Sequence, residues 1–426
     1  MLSKQLSFYL KNKNKNNLFF VIGSFFIELI ITLIITKLIS IALSKSDFGE
    51  YSLFLSVFAI VSVLPFFSLH TSIERLLIEN EDKKVVITSV FLLYIFFFIL
   101  YSLVLVFFTI FNNEFGKQVL IVFYFFCLSK IMKTTIIAII NINKYNKEAF
   151  FLRFFDSIIQ FFIVIFYFIC KNLTLNIIFL SSIISSFIVL LFGVYLIKKI
   201  FFANKKELGM KSSYIKTSKE IMFFSAPLIF WGLFIWIQNM VGRWYIDAMV
   251  DRDNVANYSL MTSLALLPVT AIISIFGGFF VPRIYLHEKE FPGFIAKINK
   301  KIQFFSFLFW IVIVLFSFFF GEFLIKVFLS DKYLEVAWAL PLLLLGNAIH
   351  CIGQLSIYEI YYYKKPRLLI LSNVIPGILT ISLGYFLIKN YGFFGAIISN
   401  LISFSISGVL ALYSTKIFSK RRIYAN

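Results

Sequence analysis

Residues 85–111 read VVITSVFLLYIFFFILYSLVLVFFTIF, without one charged side chain from Val85 to Phe111. An α-helix rises about 1.5 Å per residue and a membrane hydrocarbon core is ~30 Å thick, so roughly 20 apolar residues suffice to cross it. In lipid the backbone must satisfy its own hydrogen bonds, which makes this stretch a spanning helix. The same test applied outward in both directions gives twelve spans, at residues 18–42, 51–69, 85–111, 118–140, 154–170, 173–197, 221–242, 256–282, 302–325, 336–358, 368–388 and 392–415. The predicted fold class is an all-α integral membrane protein of twelve transmembrane helices.

Composition agrees with this. Sixty per cent of residues are apolar, 14% are charged, and 58 are Phe, which lies outside the range of water-soluble domains. The formal charge of +19 would suit nucleic acid, but the Lys and Arg residues fall in short clusters between apolar spans, where they set topology and meet anionic lipid headgroups. No nucleic-acid partner is expected. Cys127, Cys170 and Cys351 are odd in number and lack ligand spacing, so neither a disulfide framework nor a metal site is expected. The apolar run after the Lys- and Asn-rich start is too long for a signal peptide and has no small-residue cleavage site, so it is expected to stay as the first helix.

An even number of spans puts both termini on one side. Of the 40 Lys and Arg residues, 29 fall on the side of the termini, eight in the opposite connections and three within spans. The positive-inside rule therefore makes both termini cytoplasmic. The longest polar interruption runs from Lys198 to Lys219 and divides the chain into a six-helix lobe (1–197), a basic cytoplasmic linker (198–220) and a second six-helix lobe (221–426). Phe48-Gly49-Glu50-Tyr51-Ser52-Leu53 enters the second span as Val255-Ala256-Asn257-Tyr258-Ser259-Leu260 enters the eighth, and Lys144-Tyr145-Asn146-Lys147 precedes the fifth as Lys364-Lys365-Pro366-Arg367 precedes the eleventh. Six helices per half give two repeats of the same orientation, an arrangement found in alternating-access transporters.

No outward connection exceeds roughly fifteen residues, which leaves no room for a folded catalytic domain outside the membrane. Phosphate-cradling glycine loops, zinc-protease helices and nucleophile elbows are absent from the sequence, and no cofactor is expected. The chain reads as a carrier rather than an enzyme.

Polar residues at membrane depth mark its working parts, since a charge at the bilayer centre costs about 2.5 kcal/mol or more unless protein or water receives it. Lys130 and Lys133, three residues apart on the fourth span with Ser129, Thr134 and Thr135 beside them, present two ammonium groups on one face. Two interpretations stand: a diphosphate-binding face, or lysines that snorkel to the inner headgroups. Glu28 on the first span is a candidate for ion coupling, for pairing with a lysine such as Lys130, or for neutral packing, and Lys37 lies nine residues further out. Arg153 and Asp156 at the inner end of the fifth span form a candidate latch or a helix-end pair. Arg243 with Asp247, and Glu322 with Lys326, have the spacing of surface ion pairs, while Arg243 is also placed to meet an anion leaving outward. Asn347, His350, Gln354 and Glu359 make a polar stripe on the tenth span suited to sugar hydroxyls or to interhelical bonds, and His350 titrates near neutrality. Pro65, Pro227, Pro268, Pro341, Pro376 and Gly277-Gly278 allow bent helices.

Four further motifs carry a resemblance: Leu43-Ser44-Lys45-Ser46-Asp47-Phe48-Gly49-Glu50-Tyr51-Ser52-Leu53, Ser225-Ala226-Pro227, Asn257-Tyr258-Ser259-Leu260 with Pro268 and Pro282, and Tyr391-Gly392-Phe393-Phe394-Gly395-Ala396. In these the chain resembles the polysaccharide-flippase branch of the multidrug/oligosaccharidyl-lipid/polysaccharide (MOP) exporter superfamily, most closely the Wzx-type O-antigen repeat-unit flippases. The resemblance implies two six-helix lobes in a MATE-like V. It implies transport of undecaprenyl-diphosphate-linked oligosaccharide across the bacterial inner membrane for O-antigen or capsule synthesis, with membrane lipids, H⁺ or Na⁺, a polysaccharide polymerase and a chain-length regulator as partners. The cationic lumen of such families would be supplied here by Lys130 and Lys133. Members often show an Asp-Arg pair on the seventh helix, whereas here Arg243 precedes Asp247 and Asp251-Arg252 falls in the loop. The expected substrate contacts are Lys130, Lys133, Lys37, Arg243, Asn347 and Gln354, and the expected coupling or gating groups are Glu28, Arg153, Asp156 and His350. A cation-coupled multidrug exporter of the same superfamily and a membrane glycan polymerase or ligase are the alternatives.

Overall fold

The structure is a computed structural model that describes residues 15–61, 83–111, 117–142, 146–201, 211–291, 293–363 and 365–423. The N-terminal stretch before Lys15, Pro65, Arg75, Lys144-Tyr145, Lys364 and residues 202–210 of the expected linker lie outside the described residues. Among the described residues all regular structure is helical. The helices are α1 (Lys15–Ala42), α2 (Lys45–Val61), α3 (Lys83–Phe111), α4 (Lys117–Ile142), α5 (Asn146–Ile169), α6 (Leu175–Phe201), α7 (Lys211–Met249), α8 (Arg252–Ile275), α9 (Val281–Glu290), α10 (Phe294–Phe328), α11 (Ala339–Ser356), α12 (Tyr358–Tyr362) and α13 (Leu371–Ile423). A π-turn at Phe276–Phe280 joins α8 to α9, and a 3₁₀ turn at Asp331–Val336 lies between α10 and α11.

Eight helical segments among the described residues are long and apolar enough to cross a membrane, and the chain is a multi-pass membrane protein. Its surface confirms the solvent: Phe304, Phe305, Phe318 and Phe319 on α10 stand exposed, as side chains do when lipid covers them. The helices outrun the apolar spans, because their polar ends continue past the hydrocarbon. Within the expected linker, residues 198–201 close α6, with Lys198 and Lys199 complementing its C-terminal dipole, and residues 211–220 open α7. α13 is a hairpin. At Gly392 the backbone turns at φ 55°, ψ −132°, a left-handed conformation that glycine adopts freely. The arms on either side run antiparallel, with Thr380 Oγ1 donating to Ser403 Oγ at 3.0 Å.

The chain forms two compact units, residues 1–38 with 54–233 and residues 39–53 with 234–426. In the first, β-branched side chains from three helices make the core: Val86, Ile87 and Val90 of α3, Ile136, Ile139 and Ile140 of α4, and Val189 and Ile197 of α6. Stiff at χ1, such side chains pack into one arrangement. In the second unit α11 is the central helix, packed against α8, α10 and α13, with Leu343, Ala348, Cys351 and Leu355 buried. The corner between α1 and α2 belongs to this second unit.

Candidate functional site

Three helices of the first unit bring polar and charged side chains together near their midpoints. Lys130 and Lys133 lie halfway along α4, Asp156 halfway along α5, and Ser185 near the middle of α6. Glu28 is at the centre of α1 and contributes to the electrostatic field at Lys130. α4, α5 and α6 are each long and apolar enough to span the hydrocarbon, so their midpoints are deep, and buried Lys133 and Asp156 are internal to the bundle rather than snorkelling to a headgroup. Lys133 is buried and donates from Nζ to Asp156 Oδ2. Lys130 Nζ stands 4.0 Å from the same oxygen and donates no hydrogen bond among the described residues. Asp156 Oδ1 accepts none either, although the Ser185 hydroxyl faces the carboxylate.

The arrangement corrects two expectations. Asp156 serves the α4 lysines, which removes it from the proposed helix-end pairing with Arg153. The two lysines are also not a bare cationic face: Asp156 stands within the cluster as their counter-charge. The hydroxyls of Ser129, Thr134 and Thr135 donate to carbonyls of their own helix, at Phe126 and Ile131, and Thr135 Oγ1 also meets the Tyr94 hydroxyl of α3, so these groups brace the helices instead of extending a binding face. One turn further along α5 from Asp156, Gln160 donates to Ser182 Oγ on α6 at 2.7 Å and continues the polar seam. Neither Gln160 nor Ser185 was singled out from sequence, since one amide and one serine in an apolar run carry no spacing signal.

In the second unit Arg243 is buried on α7, with its Nη1 against Met240 Sδ and its Nε without a hydrogen-bond partner. It does not pair with Asp247, whose Oδ1 instead accepts from Arg252 Nε at 3.3 Å. The Tyr258 hydroxyl lies in its field and accepts from Asn400 Nδ2 at 3.1 Å. Asn347 is buried on α11 with Oδ1 unpartnered, while His350 Nδ1 meets Ser407 Oγ at 3.2 Å and Gln354 is half-buried. Glu359 falls beyond the end of α11, on α12, where it accepts from Asn299 and Ser419; it leaves the stripe and joins a knot of helix ends. Lys37 is half-buried on α1.

Further polar work is done by residues the sequence did not flag. Glu288 on α9 accepts the backbone N–H groups of Gly293 and Ile295, at 2.8 and 2.7 Å, and the hydroxyl of Tyr363, fixing the start of α10. Lys45 at the α1–α2 corner donates to Glu335, and Lys332 Nζ donates to the carbonyls of Ile41 and Leu43 at 2.8 and 3.1 Å. Among the described residues no group of three His, Cys, Asp or Glu has the geometry to hold a metal ion.

The family model described as polysaccharide biosynthesis protein matches residues 15–285. No curated protein matches the sequence. Among solved structures the chain is similar to the lipid II flippase MurJ in an inward closed conformation, with a TM-score of 0.72 at 16% identity over 92% of this chain and 86% of that one. It is similar to the Vibrio cholerae MATE transporter VcmN, with a TM-score of 0.61 at 13% identity over 95% of each chain. A MOP superfamily transporter from Pyrococcus furiosus aligns with a TM-score of 0.63 at 13% identity, over 98% of this chain and 97% of that one. These likenesses show a common fold.

Proposed function

The chain belongs to the polysaccharide biosynthesis protein family, and from that membership and its buried charge cluster we propose that it flips a lipid-linked oligosaccharide across the membrane. The cargo is an undecaprenyl-diphosphate-linked repeat unit for O-antigen or capsule. It moves from the cytoplasmic to the outer leaflet of the bacterial inner membrane by alternating access of the two lobes, 1–197 and 221–426, with both termini cytoplasmic. The chain acts as a carrier and not as an enzyme, handing its cargo to a polymerase and its chain-length regulator.

The observation that carries this is the position of Lys130, Lys133, Asp156 and Glu28 at the midpoints of α4, α5 and α1. Charges that cost about 2.5–3.5 kcal/mol each at the bilayer centre are retained where an anion has to pass. Sugar hydroxyls crossing bare hydrocarbon would each lose their hydrogen bonds at several kcal/mol, so the head group needs a polar route. Arg243, with its unpartnered buried Nε, is suited to a phosphate contact. Asn347 and Gln354 are suited to sugar hydroxyls, and Glu28 or His350 to an H⁺ or Na⁺ that gives direction.

Deletion of the gene should leave lipid-linked repeat units on the cytoplasmic leaflet with surface polysaccharide lost; normal surface polysaccharide in the deletion strain removes the function. The likeness to MATE transporters supports a second reading, cation-coupled drug efflux. Proteoliposomes that extrude an organic cation dye against a proton or sodium gradient, and do not move lipid diphosphates, would establish it instead.

A further inference from the structure

The two lysines of the central cluster are not equivalent. Lys133 is buried and hydrogen-bonded to Asp156 Oδ2. Lys130 has the more accessible side chain, 18% against 9%, stands 4.0 Å from that oxygen, and has no hydrogen-bond acceptor among the described residues. Asp156 is itself buried with Oδ1 unpartnered, so the carboxylate is held by one oxygen only. An ammonium at membrane depth within the field of a carboxylate, but not bonded to it, has donors ready for another anion.

We propose that Asp156 is the resident counter-ion of a diphosphate site, with Lys133 as its fixed anchor and Lys130 as the group that leaves its field to bind the phosphate. This rests on the function proposed above and assigns roles within the same site. In the empty carrier Asp156 neutralises Lys130 and lets it lie at the bilayer centre without substrate. When a phosphate oxygen arrives, Lys130 turns to it while Lys133 keeps the carboxylate in place. On release the carboxylate takes Lys130 back, so the anion competes with a built-in rival and is not trapped. Asp156 is thus a positioning residue that weakens substrate binding and speeds release.

The test uses the full chain in nanodiscs, with inorganic pyrophosphate and farnesyl diphosphate as probes in titration calorimetry. Asp156→Asn should tighten both by roughly tenfold or more, because a competing charge at about 4 Å is gone. Its farnesyl diphosphate should also dissociate more slowly. Asp156→Glu should restore wild-type affinity, and Lys130→Met should abolish binding. Equal or weaker binding by a monodisperse Asp156→Asn protein overturns the counter-ion role while leaving the transport function standing. Failure of the wild-type chain to bind either diphosphate overturns both. Should Asp156→Asn not fold, amine labelling of the wild-type chain read by mass spectrometry decides: Lys130 should label and be protected by farnesyl diphosphate, with Lys133 unlabelled throughout. Labelling and protection of Lys133 overturns the division of roles.

Discussion

Ser44 and Asp251 occupy the same place in two helices. Each immediately precedes a helix, α2 from Lys45 and α8 from Arg252, and each bonds the residue three positions on. The Asp47 amide donates to Ser44 Oγ at 3.1 Å, and the Asn254 amide to Asp251 Oδ1 at 2.6 Å. A side-chain oxygen at this position satisfies an otherwise orphaned N–H of the first turn. The repeat read from Tyr51-Ser52-Leu53 and Tyr258-Ser259-Leu260 therefore extends back to the capping residues, although Ser and Asp share no letter. Within the second unit the two first turns touch.

That contact sets a limit at Gly49. A Cβ built there would lie 2.2 Å from the Arg252 carbonyl oxygen, which is rigid backbone. Gly49→Val should separate α2 from α8 and cost about 1–3 kcal/mol, the range for overpacking. The thermal unfolding midpoint in detergent should fall, and an unchanged midpoint would mean that the corner is not packed against α8.

The same corner carries an acid-sensitive tie. Lys45 beside Glu335, bonded to it, holds the Glu335 carboxyl below its ordinary value of 4.5. A carboxyl depressed in the folded protein adds stability above its unfolded pKa and loses it as pH falls through the folded value. The contribution should thus be complete above about pH 5 and vanish as pH drops below 4.5. Glu335 is largely exposed, so solvent screening keeps the effect small. Unfolding midpoints of wild type and Glu335→Gln, measured from pH 7 to pH 3, should differ at neutral pH and converge in acid; a constant offset would exclude the ion pair as its source.

Glu288→Ala should loosen the α9–α10 corner of the second unit. It strips the acceptor from the amides of Gly293 and Ile295 and from the Tyr363 hydroxyl, and buried donors left unpaired cost about 1–3 kcal/mol. Hydrogen exchange should accelerate at the first turn of α10 and leave α4 unchanged. Equal rates at Ile295 in variant and wild type would show that the carboxylate does not hold that turn.

The eight spans found among the described residues were legible because a bilayer imposes one demand, continuous apolar length, and Val85–Phe111 meets it without a single charge. Lys130, Lys133 and Glu28 were legible as depth violations for the same reason. Their partners were not. Asp156 was read beside Arg153 on its own helix, whereas the bundle turns it toward α4, and which helix faces which is decided by packing that a linear sequence does not display. Arg243 and Asp247 have ideal spacing for a pair, yet burial of the one and the approach of Arg252 to the other separate them. Glu359 shows the third limit: it lies past the interruption at Ile357, and Asn299 and Ser419 from neighbouring helices claim its carboxylate, which spacing along one helix does not display.

The unequal lysines make opposite predictions for stability. Lys133→Ala leaves Asp156 buried without its bonded partner, and removing one member of a buried ion pair costs about 3–5 kcal/mol. Lys130→Ala removes an ammonium that holds no hydrogen bond and repels Lys133, so its cost should stay under about 1 kcal/mol. Adding Asp156→Asn to Lys133→Ala should recover much of the loss, because the orphaned charge is then gone, whereas adding it to Lys130→Ala should not. Unfolding free energies of these four variants, the Asp156→Asn single variant and the wild type in one detergent close two double-mutant cycles, one for each lysine with Asp156. Equal losses from the two lysines would mean that both are bonded to Asp156, and that neither is held in readiness for an arriving anion.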